Sequence, residues 1–244
     1  MKLYEFAPTR SIRVRWTLQE LGVDFETITV DLLAGEHRSP AFLKINPAGK
    51  LPVLVDGDIV LTESVAIVLY LAEKYRDKGL IPLDPQQRAQ MIRWLLFTTT
   101  ELEQPLWRIA RHTTLYPENK RLPGELALAR EDFAAMANVL EAYMSGRKFV
   151  VGNTATVGDF VLAYTLDWAK LANVLDGLPR LEAYMEDIWK RCTRGPVRRC
   201  ASRRPSPASG AEQPLRHAHP FKRTATPSCR GRSPPSASGM LPRS

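Results

Sequence analysis

The chain has 244 residues, 44% hydrophobic and 25% charged, enough to bury a substantial core and to divide into two domains, in the proportions of an ordinary soluble protein. No run approaches the ~18 apolar residues of a membrane span, and residues 1–6 begin no apolar stretch of signal-peptide length, so a cytoplasmic protein with no membrane partner is expected. The formal charge of +8 is uneven: residues 191–244 hold twelve of the 34 Lys and Arg and one of the 26 acids, which leaves 22 bases and 25 acids, about −3, in residues 1–190. Cys192, Cys200 and Cys229 all lie in that last stretch, which excludes Cys-x-x-Cys redox chemistry and a cysteine nucleophile from the body of the protein.

Residues 2–6 alternate as a first strand, and Ala7-Pro8-Thr9 turns the chain. From Ser11, the spacing of Val14, Trp16, Leu18 and Leu21 predicts a helix that stops at Gly22. Residues 25–30 alternate as a second strand, 40–45 make a short helical turn, and Asn46-Pro47-Ala48-Gly49 turns again. Residues 51–55 and 59–61 flank Asp56-Gly57-Asp58, a strong hairpin signal. A helix follows over 62–75, with Val65, Val68, Leu69 and Ala72 on one buried face. The order βαβ-ββα predicts an α/β thioredoxin-like domain over residues 1–80, the helix at 11–21 supplying the crossover between parallel strands.

Strand signals then vanish. Residues 86–115 read as a long helix with Ile92, Leu95, Leu96, Leu102 and Ile109 inward, kinked at Pro105, whose ring removes a backbone donor. Helices over 124–145, 157–175 (apolar on nearly every side) and 179–190 complete an all-α helical bundle domain over residues 86–190. Residues 191–244, rich in Arg, Ser and Pro, bury too little to offset chain entropy, so disorder is expected. A basic arm for nucleic acid or acidic membrane is one reading of that composition. A reading-frame shift in a GC-rich gene is the favoured one, and nucleic acid is not an expected partner.

The segments Asn46-Pro-Ala-Gly-Lys-Leu-Pro-Val-Leu54 and Leu61-Thr-Glu-Ser-Val-Ala-Ile67 resemble the glutathione site of the cytosolic glutathione transferases, of bacterial type. The element order matches that family over residues 1–190. Pro52 has no N–H to pair on its side of a strand. The resemblance implies a cis Leu51–Pro52 bond, with the free backbone of Leu51 pairing the cysteinyl part of the tripeptide as an added strand. Ser64, where a helix begins, would hold the γ-glutamyl carboxylate with the help of unpaired N–H groups, and Glu63 would meet the α-ammonium; Thr62 or Ser64 serving as a plain N-cap is the simpler reading, and the two are compatible. Lys50 and His37 are further carry-overs for the glycyl carboxylate, though each also reads as a solvated side chain.

The family activates the thiol in the turn between first strand and first helix, which here reads Ala7-Pro8-Thr9-Arg10-Ser11-Ile12-Arg13. The position of the usual serine falls near Pro8 or Thr9, so Thr9 and Ser11 are the catalytic candidates, with Arg10 an electrostatic helper. Ser11 reads equally as a helix N-cap. Thr156-Val-Gly-Asp159 is a capping box in which Asp159 is structural; the family's usual alanine is replaced by Gly158, at a cost in helix propensity. Trp107, Arg108, Arg111 and Tyr116 are candidates for the electrophile site, with aromatic packing as the alternative. The four histidines, His37, His112, His217 and His219, are scattered, so no metal is expected.

The resemblance therefore implies conjugation of the glutathione thiolate to a hydrophobic electrophile, with glutathione as co-substrate, no other cofactor, and a homodimer. Glutathione-dependent disulfide or peroxide reduction, dehalogenation or isomerisation, and a non-catalytic interaction module are the alternatives on the same fold.

Overall fold

The computed structural model describes residues 1–194, with side chains to 191; the expectation of a disordered or frame-shifted tail lies outside the described residues apart from its first four. Strands β1 (Lys2–Glu5), β2 (Glu26–Thr29), β3 (Val53–Asp56) and β4 (Ile59–Leu61) form one sheet in the order β2-β1-β3-β4. β1 runs parallel to β2, with Leu3 opposite Thr27, and antiparallel to β3, with Leu3 opposite Leu54; β3 and β4 are a hairpin. Helix α1 (Ser11–Leu21) is the crossover, and Gly22 ends it at φ 66, a left-handed conformation that costs a glycine least. Helices α2 (Pro40–Ile45) and α3 (Ser64–Lys74) complete a thioredoxin-like half.

The helical half comprises α4 (Pro85–Phe97), α5 (Glu103–Ala110), α6 (Pro123–Tyr143), α7 (Val157–Leu171) and α8 (Pro179–Arg194). The single helix expected over 86–115 is interrupted by π turns at Thr98–Leu102 and Arg111–Leu115. The first lies just before Pro105, whose ring would crowd the Glu101 carbonyl in a regular helix; the wider π turn relieves that crowding. Two side chains expected to point inward do not. Ile92 and Leu96 are 38% and 56% exposed, whereas Met91, Trp94, Leu95, Thr98 and Leu102 are buried. The buried stripe thus runs along the 91–94–98–102 side, and the apolar pair 92 and 96 lies on the neighbouring face.

The two halves share one core. Trp16 of α1 is fully buried and stacks on Phe160 of α7 at 4.8 Å and on Trp189 of α8 at 4.6 Å. Helix α8 continues past residue 190 as far as Arg194, and Arg191 reaches Glu20 of α1 at 3.2 Å. The start of α7 is tied down by Asp159, fully buried, which accepts from the Thr156 N–H and the Val150 N–H at 2.8 Å each, from the Thr156 hydroxyl at 3.0 Å, and from the Tyr184 hydroxyl of α8 at 2.8 Å. A Cβ at Gly158 would meet Met91 Cγ at 3.1 Å and Thr156 Oγ1 and Val150 Cγ1 at 3.2 Å each, so here the absent side chain makes room for α4. Among the described residues no helix is long and apolar enough to cross a membrane.

Candidate functional site

The residues singled out in 37–64 lie in the segment between β2 and α2, in the turn and cis-proline step that lead into β3, and at the start of α3. The Leu51–Pro52 bond is cis, and no described residue hydrogen-bonds the N–H or C=O of Leu51. The 46–49 turn is held by Asn46, which is buried and whose side chain donates to the Lys50 carbonyl at 2.8 Å and accepts from the Ala48 N–H at 3.1 Å. Gly49 closes that turn at φ 61, where a Cβ would lie 2.9 Å from the His37 carbonyl oxygen; this close approach brings Lys50 beside the Glu36–Arg38 turn. Lys50 and Glu63 are exposed and have no ion-pair partner among the described residues, and the buried Nδ1 of His37 has no hydrogen-bond partner.

Glu63, at φ 63 and ψ 112, is the residue before α3, in a region that side chains rarely occupy. Neither Thr62 nor Ser64 caps the helix; Glu63 stands at the N-cap position without a side-chain cap. The sharp turn makes Ser64 the first helical residue, and the N–H groups of Ser64, Val65 and Ala66 have no partner among the described residues. Those donors and the helix dipole favour an anion. The Ser64 hydroxyl accepts from Arg13 Nη1 at 3.3 Å, which leaves its own proton available.

Arg13 is fully buried, between the two halves of the molecule. Its Nη2 donates to the Glu103 carboxylate and to Thr165 Oγ1, its Cζ lies 4.7 Å from the Tyr164 ring, and its Nε has no hydrogen-bond partner among the described residues. Glu103 also accepts from Arg10 Nε and from the Thr165 hydroxyl, at 2.8 and 2.9 Å. Burial pushes the Glu103 carboxyl up, but the guanidiniums of Arg13 and Arg10 outweigh it and hold it below the usual range; burial lowers Arg13, with Glu103 opposing. One carboxylate of α5 thus connects the Ser64 corner, through Arg13, to the turn before α1, through Arg10.

In that turn the hydroxyls form a closed set. Thr9 Oγ1 donates to the Phe6 carbonyl at 2.5 Å and lies 2.8 Å from Ser11 Oγ, which accepts from the Phe6 N–H at 3.5 Å. With the Thr9 proton on Phe6, Ser11 donates to Thr9. Ser11 is buried and Thr9 half-buried, so only Thr9 borders solvent. The Ala7–Pro8 bond in this turn is cis.

The four residues offered for an electrophile diverge. Trp107, 37% exposed, lies with its ring centroid 5.4 Å from the Cζ of Arg10 and 5.4 Å from that of Arg111. Arg108 is directed instead to Glu125 at 3.0 Å and Asp132 at 2.5 Å, both on α6. The Tyr116 ring meets His112 edge-on at 5.2 Å. No three His, Cys, Asp or Glu side chains gather to hold a metal among the described residues.

The family model described as "Glutathione S-transferase, N-terminal domain" matches residues 1–73, and "Glutathione S-transferase, C-terminal domain" matches 119–187. The Arabidopsis thaliana protein "Glutathione S-transferase F9" is 37% identical over 186 residues, covering 72% of this chain and 85% of its own. The Dianthus caryophyllus protein "Glutathione S-transferase 1" is 39% identical over 167 residues, 67% of this chain and 74% of its own. The chain belongs to the glutathione S-transferase family. Its activity is that of a glutathione transferase, with glutathione as co-substrate. A glutathione transferase from Phanerochaete chrysosporium, solved with oxidized glutathione, superposes with a TM-score of 0.71 at 27% identity, covering 78% of this chain and 90% of its own.

The sequence patterns did not mark the part of this transferase that joins its halves: Arg13, Glu103 and Thr165. Glu103 did leave a trace. It sits between Leu102 and Leu106 on the buried side of α5, and a charge on an apolar stripe implies a buried partner. Nothing local in the sequence names that partner, ninety residues away.

Proposed function

We propose that this transferase holds glutathione extended along the free backbone of Leu51, with the γ-glutamyl carboxylate on the Ser64 hydroxyl and the open N–H groups of α3. The observation that carries the reading is the Ser64 corner, where a hydroxyl stands beside a buried guanidinium and three N–H groups that have no partner among the described residues. Glu63 supplies the acid for the α-ammonium, while Lys50 and His37 meet the glycyl carboxylate. The Leu51 backbone, open among the described residues, supports strand-like pairing with the cysteinyl residue.

The thiol then lies against the turn of residues 8–11. We assign its activation to the Thr9 hydroxyl, which turns from the Phe6 carbonyl toward the sulfur while Ser11 backs it, and to the positive charge of Arg10. The turn contains no cysteine, which supports conjugation over disulfide reduction through a protein thiol. The electrophile occupies the α5 side, beside Trp107 and Arg111, while Arg108 is engaged by Glu125 and Asp132 and Tyr116 packs on His112. The reading includes a homodimer, supported by the exposed Ile59 and Val60 on edge strand β4 and Ile92 and Leu96 on α4, and a cytoplasmic location.

Calorimetric titration of the full chain with glutathione tests the tripeptide site. Ser64→Ala is expected to weaken binding by ~1 kcal/mol or more, the loss of one hydrogen bond to a charged group. Unchanged affinity in the variant, or no binding by the folded wild type, overturns the reading.

A further inference from the structure

Two indole rings and two guanidiniums gather beside the 8–11 turn. Arg10 Cζ lies 5.4 Å from the Trp107 centroid and 5.3 Å from that of Trp168, and the two rings meet edge-on at 6.1 Å. Arg111, one helical turn beyond Trp107, places its Cζ 5.4 Å from the same ring. Stacking accounts for where these cations sit but leaves their charge incompletely matched. Arg10 uses Nε on Glu103, and its two terminal nitrogens make no hydrogen bond among the described residues. Arg111 is exposed and has no carboxylate partner among them. The neighbouring Arg108, by contrast, has both Glu125 and Asp132.

An unmatched guanidinium beside a partly exposed indole suits a planar anion: the fork of Arg accepts a carboxylate, and the indole face accepts an aromatic ring. A neutral apolar electrophile would use the indole and leave the guanidiniums to water.

Building on the electrophile site assigned above, we propose that the transferase prefers an aromatic electrophile that carries a carboxylate. Its ring lies against Trp107, and its carboxylate is held by Arg111 with the terminal nitrogens of Arg10. Halonitrobenzoates represent the class. With one of them the glutathione sulfur forms a C–S bond at the halogen-bearing carbon, the ring takes up the electron pair, and the C–Cl bond then breaks with chloride leaving; the thiol proton passes to water.

The probes are 4-chloro-3-nitrobenzoate and its neutral isostere 4-chloro-3-nitrobenzamide, titrated by calorimetry into the full chain without glutathione, so that no reaction occurs. Wild type is expected to bind the acid about tenfold more tightly than the amide, the scale of one charge-assisted contact. Arg111→Gln should abolish that ratio and Arg111→Lys should restore part of it. Equal binding of the two probes, a preference that survives in Arg111→Gln, or no binding of either overturns the inference, the stacked guanidiniums then serving only to cover Trp107. Glutathione is titrated into separate, probe-free aliquots of the same proteins: wild type that binds it without an acid preference overturns this inference alone, whereas wild type that does not bind it overturns the underlying reading as well.

Discussion

Glu103 and Asp159 are both carboxylates of the helical half, 3% and 0% exposed, and both are ringed by donors. Asp159 has more of them, two backbone N–H groups and two hydroxyls, yet burial raises its carboxyl above the ordinary aspartate value despite those bonds. Glu103 accepts from Arg13, Arg10 and Thr165, and its carboxyl is held below the ordinary range although burial opposes that. The number of hydrogen bonds therefore does not decide the direction in which burial and its partners shift a carboxyl. The formal charge of the donors weighs more, because a nearby cation offsets the desolvation of an anion more strongly than a neutral donor does. The two clusters serve different ends. Asp159 fixes a loop, a helix start and α8 to one another, whereas Glu103 keeps Arg13 buried behind Ser64 and holds Arg10 at the turn.

The most direct way to break this comparison is Glu103→Gln, which leaves the fully buried Arg13 without its counter-ion. A stability loss of about 3–5 kcal/mol in urea unfolding is expected, and a loss under ~1 kcal/mol would mean that the ionic character of the cluster is incidental. Asp159→Asn should cost less, about 2 kcal/mol, because its donors are neutral and the amide keeps one acceptor. Running both variants against pH sharpens the contrast. The folded Glu103 value is depressed, so the unfolded chain binds more protons between that value and the ordinary one; the wild-type advantage over Glu103→Gln is complete above the ordinary value and is lost as pH falls through the folded one. The folded Asp159 value is raised, so the folded chain binds more protons in its window, and the wild-type advantage over Asp159→Asn shrinks as pH rises. Parallel slopes for the two would refute the distinction. The smallest effect is expected beside the Asp159 cluster: Gly158→Ala gains helix propensity but crowds Met91 and Val150, both fully buried, and should destabilise by ~1 kcal/mol in the same assay.

How far the sequence could be read depended on distance along the chain. The β3–β4 hairpin, the stop of α1 at Gly22 and the Thr156–Asp159 box are local events, in which residues two to four apart satisfy each other's backbone groups, and each could be recognised from its own residues. The segments 46–54 and 61–67 carried the family resemblance because the turn, the proline edge and the helix start lie within twenty-two residues of one another. Periodicity marked 86–115 as helical but could not choose between two adjacent apolar faces; packing put Met91 and Trp94 inside and left Ile92 and Leu96 outside.

By itself, then, the sequence determined the element order, the thioredoxin-like and helical halves, and a helix beginning near Ser64, since propensities, turns and caps act over a few residues. Only the tertiary structure decided that Arg13 meets Glu103 across ninety positions, that the Thr9 and Ser11 hydroxyls close on Phe6, and that Arg108 turns to α6 while its neighbour Arg111 remains beside Trp107. Those outcomes depend on which charges packing brings together and which it leaves to water, and a charged side chain carries no mark of its partner in its own sequence neighbourhood.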